Sequence, residues 1–297
     1  MNWPNNRLLS LEDFEKWHFV ALDTNVITDF HKPEMNETAN KLREIAKNGY
    51  RFVLPDICMA EAIDYFDAKK PITPDQWKYM VRNLEKFVWP EFPVLPSRKQ
   101  LYAILGIKDT PDYQSNFTAG YARNLFKFFC GYDSIKDRES EHRKEMRAEF
   151  EKTKQEWRTF IAGIRSDFGA KRDENPQWND KAVSRKLLEW YGKDLNDAFA
   201  SDVRLSDRRN LALQYAISLA THQKGQGCFA YNPDSPKNRN DGRDFLILDA
   251  IMLGASICSG DNFFINASRF SKDIGGCLGQ SLSPCQTLDE LMRSLYP

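Results

Sequence analysis

"FVALDTNVITDF", residues 19 to 30, runs four apolar residues straight into Asp23, Thr24 and Asn25 before apolar residues resume. Two other apolar runs end in the same way, "RFVLPD" from 51 and "ASICSGD" from 255. By length and flanks, residues 19 to 22 read as a short buried strand. "MNETANKLREIAKNGY" at 35 to 50 follows as an amphipathic helix. Leu42, Ile45 and Ala46 form its apolar face, and Asn48-Gly49 ends it. "RFVL" is a second strand closed by Pro55, and "ICMAEAIDYFDA" at 57 to 68 is helical. Strand, helix, strand, helix predicts parallel strands joined by right-handed crossovers, hence an α/β fold.

The pattern breaks over 71 to 96, where five prolines and two tryptophans fall. From 97 to about 204 the composition is helical and strand signals are absent. The stretch 134 to 168 reads as a long mixed-charge helix. Positions 136 to 158 carry eight Lys or Arg against seven acids, the balance of a solvated helix face. Trp157, Trp178 and Trp190 in this region read as core residues. The α/β signature returns near 205. "NLALQYAISLATHQKG" is a helix, "CFAYNPDSPKNRNDGRD" a loop, "DFLILDAIMLGA" a buried helix and "ASICS" a strand. "SLSPCQTLDELMRSLYP" supplies a last strand and helix. The expected organisation is therefore a core in two pieces, 1–96 and 205–297, around a helical insertion at 97–204.

Bulk properties narrow the function classes. The chain has 297 residues and 41% hydrophobic content, within the globular range. Lys plus Arg equals Asp plus Glu at 42 each, so a nucleic-acid partner would have to be held by a local basic patch. The six cysteines, at 58, 130, 228, 258, 277 and 285, form no CxxC pair and read as reduced thiols of a cytoplasmic protein. The opening "MNWPNNRLLSLEDF" is polar and acidic where a signal peptide is apolar. No run reaches the ~20 apolar residues of a membrane helix, so no membrane partner is expected.

The acids carry the chemistry. In an open parallel α/β sheet, ligands bind beyond the carboxyl ends of the strands, at the point where strand order reverses. Asp23 and Asp261 stand at that end of their strands, Glu61 lies on the helix leaving "RFVL", and Asp244 opens the buried helix before "ASICS". Each acid alone has an ordinary explanation: Asp23 as a helix cap, Glu61 as a surface residue, Asp244 as a first-turn acid and Asp261 as a turn residue. Together they would repel one another unless a divalent cation neutralises them. Oxygen ligands suit Mg²⁺ or Mn²⁺ over Zn²⁺. The third acid is ambiguous among Asp241, Asp244 and Asp249. At about 100° per residue, Asp249 falls about 140° from Asp244 on one helix, so only one of them can point into a site. Lys237, Arg239 and Arg243 precede Asp244 and are read either as phosphate-binding residues or as part of a solvated loop.

These segments resemble the PIN-domain nucleases. "FVALDTNVI" is similar to that family's opening motif, "VLPDICMAEAI" to its second, and "RDFLILDAIMLGASICSGDNFF" to its third and fourth. The resemblance covers roughly 17 to 70 and 205 to 297. It implies a three-layer α/β/α sandwich with a central parallel sheet and metal-dependent hydrolysis of phosphodiester bonds, usually in RNA. Asp23, Glu61, Asp244 and Asp261 would be the catalytic, metal-binding acids, with Asn25 and Ser259 supporting them by hydrogen bonds. Ser259 stands where Thr is commoner, and the chain is much longer than the small members of the family, so the middle region would be an insertion or an elaborated helical region.

Three alternatives stay open on sequence. A flap-type DNA nuclease would use the 134 to 168 helix as an arch. A haloacid-dehalogenase-like phosphatase would need an acid where Asn25 stands. A catalytically idle PIN-like module would only bind RNA or protein. An inhibitory partner or a homodimer is not readable from the residues. The crowding of acids also carries a stability expectation: Asp23→Asn should leave the metal-free protein as stable as before, or more so.

Overall fold

A computed structural model of the chain describes residues 6–68, 72–95, 117–131, 253–261 and 285–295, with isolated positions at 148, 197, 201 and 250. Among them run five strands that form one parallel sheet in the order β3-β2-β1-β4-β5. These are β1 (His18–Leu22), β2 (Tyr50–Pro55), β3 (Val94–Leu95), β4 (Ser256–Cys258) and β5 (Cys285–Gln286). Val20 is aligned with Phe52 on one side and with Ser256 on the other, so β1 lies at the centre. Phe19 to Leu22 are all buried, as a strand covered on both faces requires. That is why the run is apolar without alternation. The chain steps outward from β1 to β2 to β3, then returns to the other side of β1 for β4 and β5. The reversal falls between β1 and β4, and their carboxyl ends carry Asp23 and Ser259.

The connecting helices follow their sequence signals. α1 (Leu11–Lys16) is opened by a capping box between Ser10 and Asp13. α2 (Thr24–Asp29) starts directly after Asp23. α3 (Met35–Lys47) buries Ala39, Leu42 and Ile45, a helical stripe, while Ala46 is half-buried. Gly49 follows with φ +95°, a left-handed turn in which a side chain is strained. Its carbonyl accepts the His18 N–H at 3.0 Å, aligning the starts of β1 and β2. α4 (Asp56–Ala68) leaves the carboxyl end of β2.

The proline-rich stretch 71 to 96, where the sequence pattern breaks, holds regular structure. α5 (Pro74–Glu85) begins with Thr73 and Gln76 capping each other and with Pro74 at its first position. β3 follows, with Leu54 N–H bonded to Pro93 O at 2.9 Å. A strand of two residues beside prolines gives no periodic signal, which is why it is hidden in the sequence. Asn83 on α5, 1% exposed, donates to the Phe30 carbonyl at 3.1 Å and ties α5 to the end of α2.

The core is strongly aromatic. Phe14 stacks on Phe19 with centroids 4.2 Å apart, and Phe19 meets Trp89 edge-on at 5.4 Å. Arg7 pairs with both Asp13 and Glu91, and Arg51 lies over the Trp17 ring at 3.7 Å. Burial pushes the Glu91 carboxyl up, and Asp13 adds to this against the opposing Arg7, Arg123 and Arg51. Within the expected helical region, Ala119–Cys130 is a helix capped by Thr118. Thr118 also bridges Leu8 in antiparallel fashion. The chain divides into two compact units. One comprises Met1–Arg147, Ala255–Gly260 and Gln286–Pro297, and the other Ala148–Gly254 and Asp261–Cys285. Most of the 134–168 stretch and Trp157, Trp178 and Trp190 lie outside the described residues. Among the described residues no helix is long and apolar enough to cross a membrane.

Candidate functional site

Asp23 has extended backbone angles, φ −74° and ψ 159°, and is the N-cap of α2. Its own N–H donates to the Cys258 carbonyl at 2.9 Å, continuing the β1–β4 ladder by one residue. The side chain is therefore fixed where strand order reverses. It is only 6% exposed. A carboxylate buried to that degree is costly unless donors replace its water.

The donors are present. Oδ1 accepts the Thr24 backbone N–H at 2.7 Å. Oδ2 accepts the Ser259 hydroxyl at 2.6 Å and the Asn25 amide Nδ2 at 2.8 Å. Its two oxygens accept from three donors, the role that a carboxylate fills when it only accepts. Asn25 does more than donate to Asp23. Its Oδ1 accepts the Gly260 N–H at 2.7 Å, and its Nδ2 also approaches Ser259 Oγ at 3.3 Å. The Asn25 side chain thus clips the start of α2 to the end of β4. At Gly260 an added Cβ would lie 3.2 Å from Asn25 Oδ1, so the approach is close.

Glu61 is half-buried on α4. The Thr24 hydroxyl donates to its Oε2 at 2.6 Å. Thr24 therefore touches both carboxylates, Asp23 through its backbone and Glu61 through its side chain. Cys58, one turn before Glu61, places its Sγ 3.9 Å from Asp23 Oδ1. Burial first, and then the Asp23 and Glu61 charges, push its thiol well above the ordinary value of 9.0. It stays protonated at neutral pH and is not a thiolate ligand.

Of the residues singled out in the sequence, the structure brings together Asp23, Asn25, Glu61 and Ser259. Asp261 is described and half-buried. It follows Gly260 in the chain and belongs to the second compact unit. Asp244, its neighbours Asp241 and Asp249, and the basic residues Lys237, Arg239 and Arg243 lie outside the described residues. Sequence reasoning passed over Thr24, Cys58 and Gly260. Thr24 and Gly260 adjoin residues already singled out, but nothing in a linear sequence shows that a hydroxyl reaches an acid 37 positions away.

Among the described residues no three His, Cys, Asp or Glu side chains are grouped so as to hold a metal ion. The two acids that are joined offer hard oxygen donors beside a thiol kept neutral by burial. Oxygen donors of this kind are the ligands that Mg²⁺ and Mn²⁺ generally take. The surrounding hydrogen bonds are of the kind that orient ligating carboxylates. No protein-family model, curated protein or solved structure matches the chain.

Proposed function

We propose that this protein is a metal-dependent endonuclease of the PIN-domain type that hydrolyses phosphodiester bonds in RNA. The observation that carries the reading is Asp23. It is a buried carboxylate at the point where strand order reverses, held by three donors drawn from two strand ends. A helix cap alone needs one donor. Orienting both oxygens with residues 236 positions apart is what a fixed ligand or base requires.

In this reading Asp23 and Glu61 are two of four acids, with Asp244 and Asp261 the others, within a three-layer α/β/α core. Bound Mg²⁺ or Mn²⁺ would activate water and neutralise charge on the scissile phosphate. Asn25 and Ser259 keep Asp23 from turning. Lys237, Arg239 and Arg243 hold a substrate phosphate. Asn25 also argues against an aspartyl-phosphate route, because the position that such chemistry needs as an acid is an amide engaged on both sides.

The test is incubation of the purified protein with mixed RNA and DNA pools, with Mn²⁺ or with EDTA, followed by sequencing of the cleaved ends. Cleavage of RNA with Mn²⁺, lost in EDTA and in Asp23→Asn, is the expected result. Full cleavage in excess EDTA, or by Asp23→Asn, rules the reading out.

A further inference from the structure

We infer that Arg7, Arg51 and Glu91 form a second site, away from Asp23, that binds inorganic phosphate. The inference stands apart from the nuclease reading. Its basis is a buried cluster in which guanidinium donors exceed the acceptors that face them.

Arg51 is aligned with Phe19, which lies four residues before Asp23 on β1. At about 3.3 Å per residue, Arg51 stands roughly 13 Å down the sheet from Asp23, toward the amino ends of the strands. Both guanidiniums are held in place. Arg51 Nη1 donates to the Ala46 and Tyr50 carbonyls at 3.0 and 2.8 Å, and its Cζ lies 3.7 Å from the Trp17 ring centroid. Arg7 pairs with Asp13 through Nη2 and with Glu91 Oε1 through Nε, the latter at 3.3 Å. The Cζ atoms of Arg7 and Arg51 lie 5.9 and 5.7 Å from the Trp89 ring centroid. Among the described residues, Arg7 Nη1 and Arg51 Nε are buried without a hydrogen-bond acceptor, and Glu91 Oε1, though ion-paired with Arg7, makes no hydrogen bond. Buried polar atoms in that condition call for a bound water or ion.

Charge decides between the two. Three guanidiniums, Arg7, Arg51 and Arg123, act on Glu91 against one other carboxylate, Asp13. Burial lowers the Arg51 guanidinium from its usual value, with Glu91 opposing. A water would satisfy the N–H groups and leave the excess positive charge, whereas an oxyanion answers both. Glu91, 4% exposed, then restricts the anion. A proton must lie between its carboxyl and an anion oxygen, or the two repel. At neutral pH inorganic phosphate always brings that proton. Sulfate and the phosphodiesters of an RNA backbone do not.

The experiment is calorimetric titration of the full chain at pH 7 in EDTA with sodium phosphate, sodium sulfate and a mononucleotide. The Arg51 Nε–H signal is followed by NMR in parallel. Phosphate should bind and shift that signal, with sulfate weaker by about 10- to 100-fold, the worth of one charge-assisted hydrogen bond. Arg51→Lys keeps the charge, removes the Nε–H and should weaken phosphate by about 10-fold or more. Glu91→Gln, whose amide can donate, should narrow the gap by improving sulfate. Far-UV circular dichroism checks that each variant is folded, and the wild-type signal shift reads the site without any variant. Asp23→Asn should bind phosphate as wild type does, so this result is independent of whether Asp23 serves a nuclease. No phosphate binding, or binding that leaves the Arg51 signal unmoved, overturns the inference in favour of water. Equal affinity for sulfate and phosphate overturns the role of Glu91, and tighter binding of the mononucleotide overturns the assignment to inorganic phosphate.

Discussion

Replacing Asp23 by asparagine should lower the stability of the metal-free protein by about 2 kcal/mol. Crowding of acids, taken alone, argues for no change or a gain. The hydrogen bonds reverse that sign. Asparagine keeps one oxygen. If the oxygen stays on the Thr24 N–H, the new NH₂ faces Ser259 Oγ and Asn25 Nδ2. The serine hydroxyl can turn and accept. The Asn25 amide cannot turn, because its own oxygen holds the Gly260 N–H. Flipping the new amide instead sets a donor against the Thr24 N–H. Either way a buried donor meets a donor, at ~1–3 kcal/mol, and charge-assisted bonds of ~1.5–3 kcal/mol become neutral ones of ~1 kcal/mol. Relief of repulsion from Glu61 opposes this loss. Glu61 is half-buried, however, and solvent and salt at about 0.15 M screen it. The measurement is thermal unfolding in EDTA at about 0.15 M salt. A loss of about 2 kcal/mol corresponds to several degrees, at ~2–4 °C per kcal/mol for ~150–250 residues. An Asp23→Asn protein as stable as wild type, or more so, in EDTA would refute the reasoning. It would mean that repulsion outweighs the donors.

Mn²⁺ at ~100 times its Kd should stabilise wild type by about 2.7 kcal/mol and Asp23→Asn by much less, read as melting temperature against metal concentration. Gly260→Ala forces Asn25 Oδ1 back from a 3.2 Å contact although the amide is bonded on both sides. It should cost on the order of 1 kcal/mol in urea unfolding, and an unchanged midpoint would show that the clip yields freely. At Gly49 the surrounding space is open but φ is +95°, so Gly49→Ala should cost roughly 1–2 kcal/mol from backbone strain alone, with Gly49→Asn costing less. Glu91 has a folded value raised above 4.5. Its protonated form is the one the fold favours, so that contribution is full below the unfolded value and is lost as pH rises through the folded one. The stability of wild type relative to Glu91→Gln should therefore decline as pH rises above the ordinary carboxylate range, and an increase would contradict the burial argument.

Much of the fold was legible because the central strands are short, apolar on both faces and separated by helices with clear stripes and stops. Leu42, Ile45 and the Asn48-Gly49 terminator needed no tertiary information. β3 was not legible, since Val94 and Leu95 lie between Pro93 and Pro96 and gain strand character only by pairing with Leu54 and Pro55. α5 was obscured by Pro71 and Pro74, although Thr73-Pro74-Asp75-Gln76 is a complete helix-start signal read locally. At the site, Asp23, Asn25 and Ser259 were legible as residue types beside strand ends, and Glu61 as an acid on the helix leaving β2. What joins them was not. The Thr24–Glu61 and Asn25–Gly260 bonds exist only after α4 and β4 are laid against β1.

The helix-cap and functional explanations of Asp23 are therefore not rivals. The cap uses Oδ1 and the neighbouring N–H, a contact that any aspartate after a strand can make. Oδ2 is held by Ser259 from another strand and by Asn25, whose other end fixes Gly260. Capping a six-residue helix accounts for the first contact and leaves the others unexplained. Fixing a buried charge against the end of β4, at the reversal of strand order, accounts for them together. In the same way the Thr24 N–H serves the cap while its hydroxyl serves Glu61. Asp23, the cap of α2, and Thr24, its first residue, thus each make one bond that belongs to the helix start and another that reaches a different element.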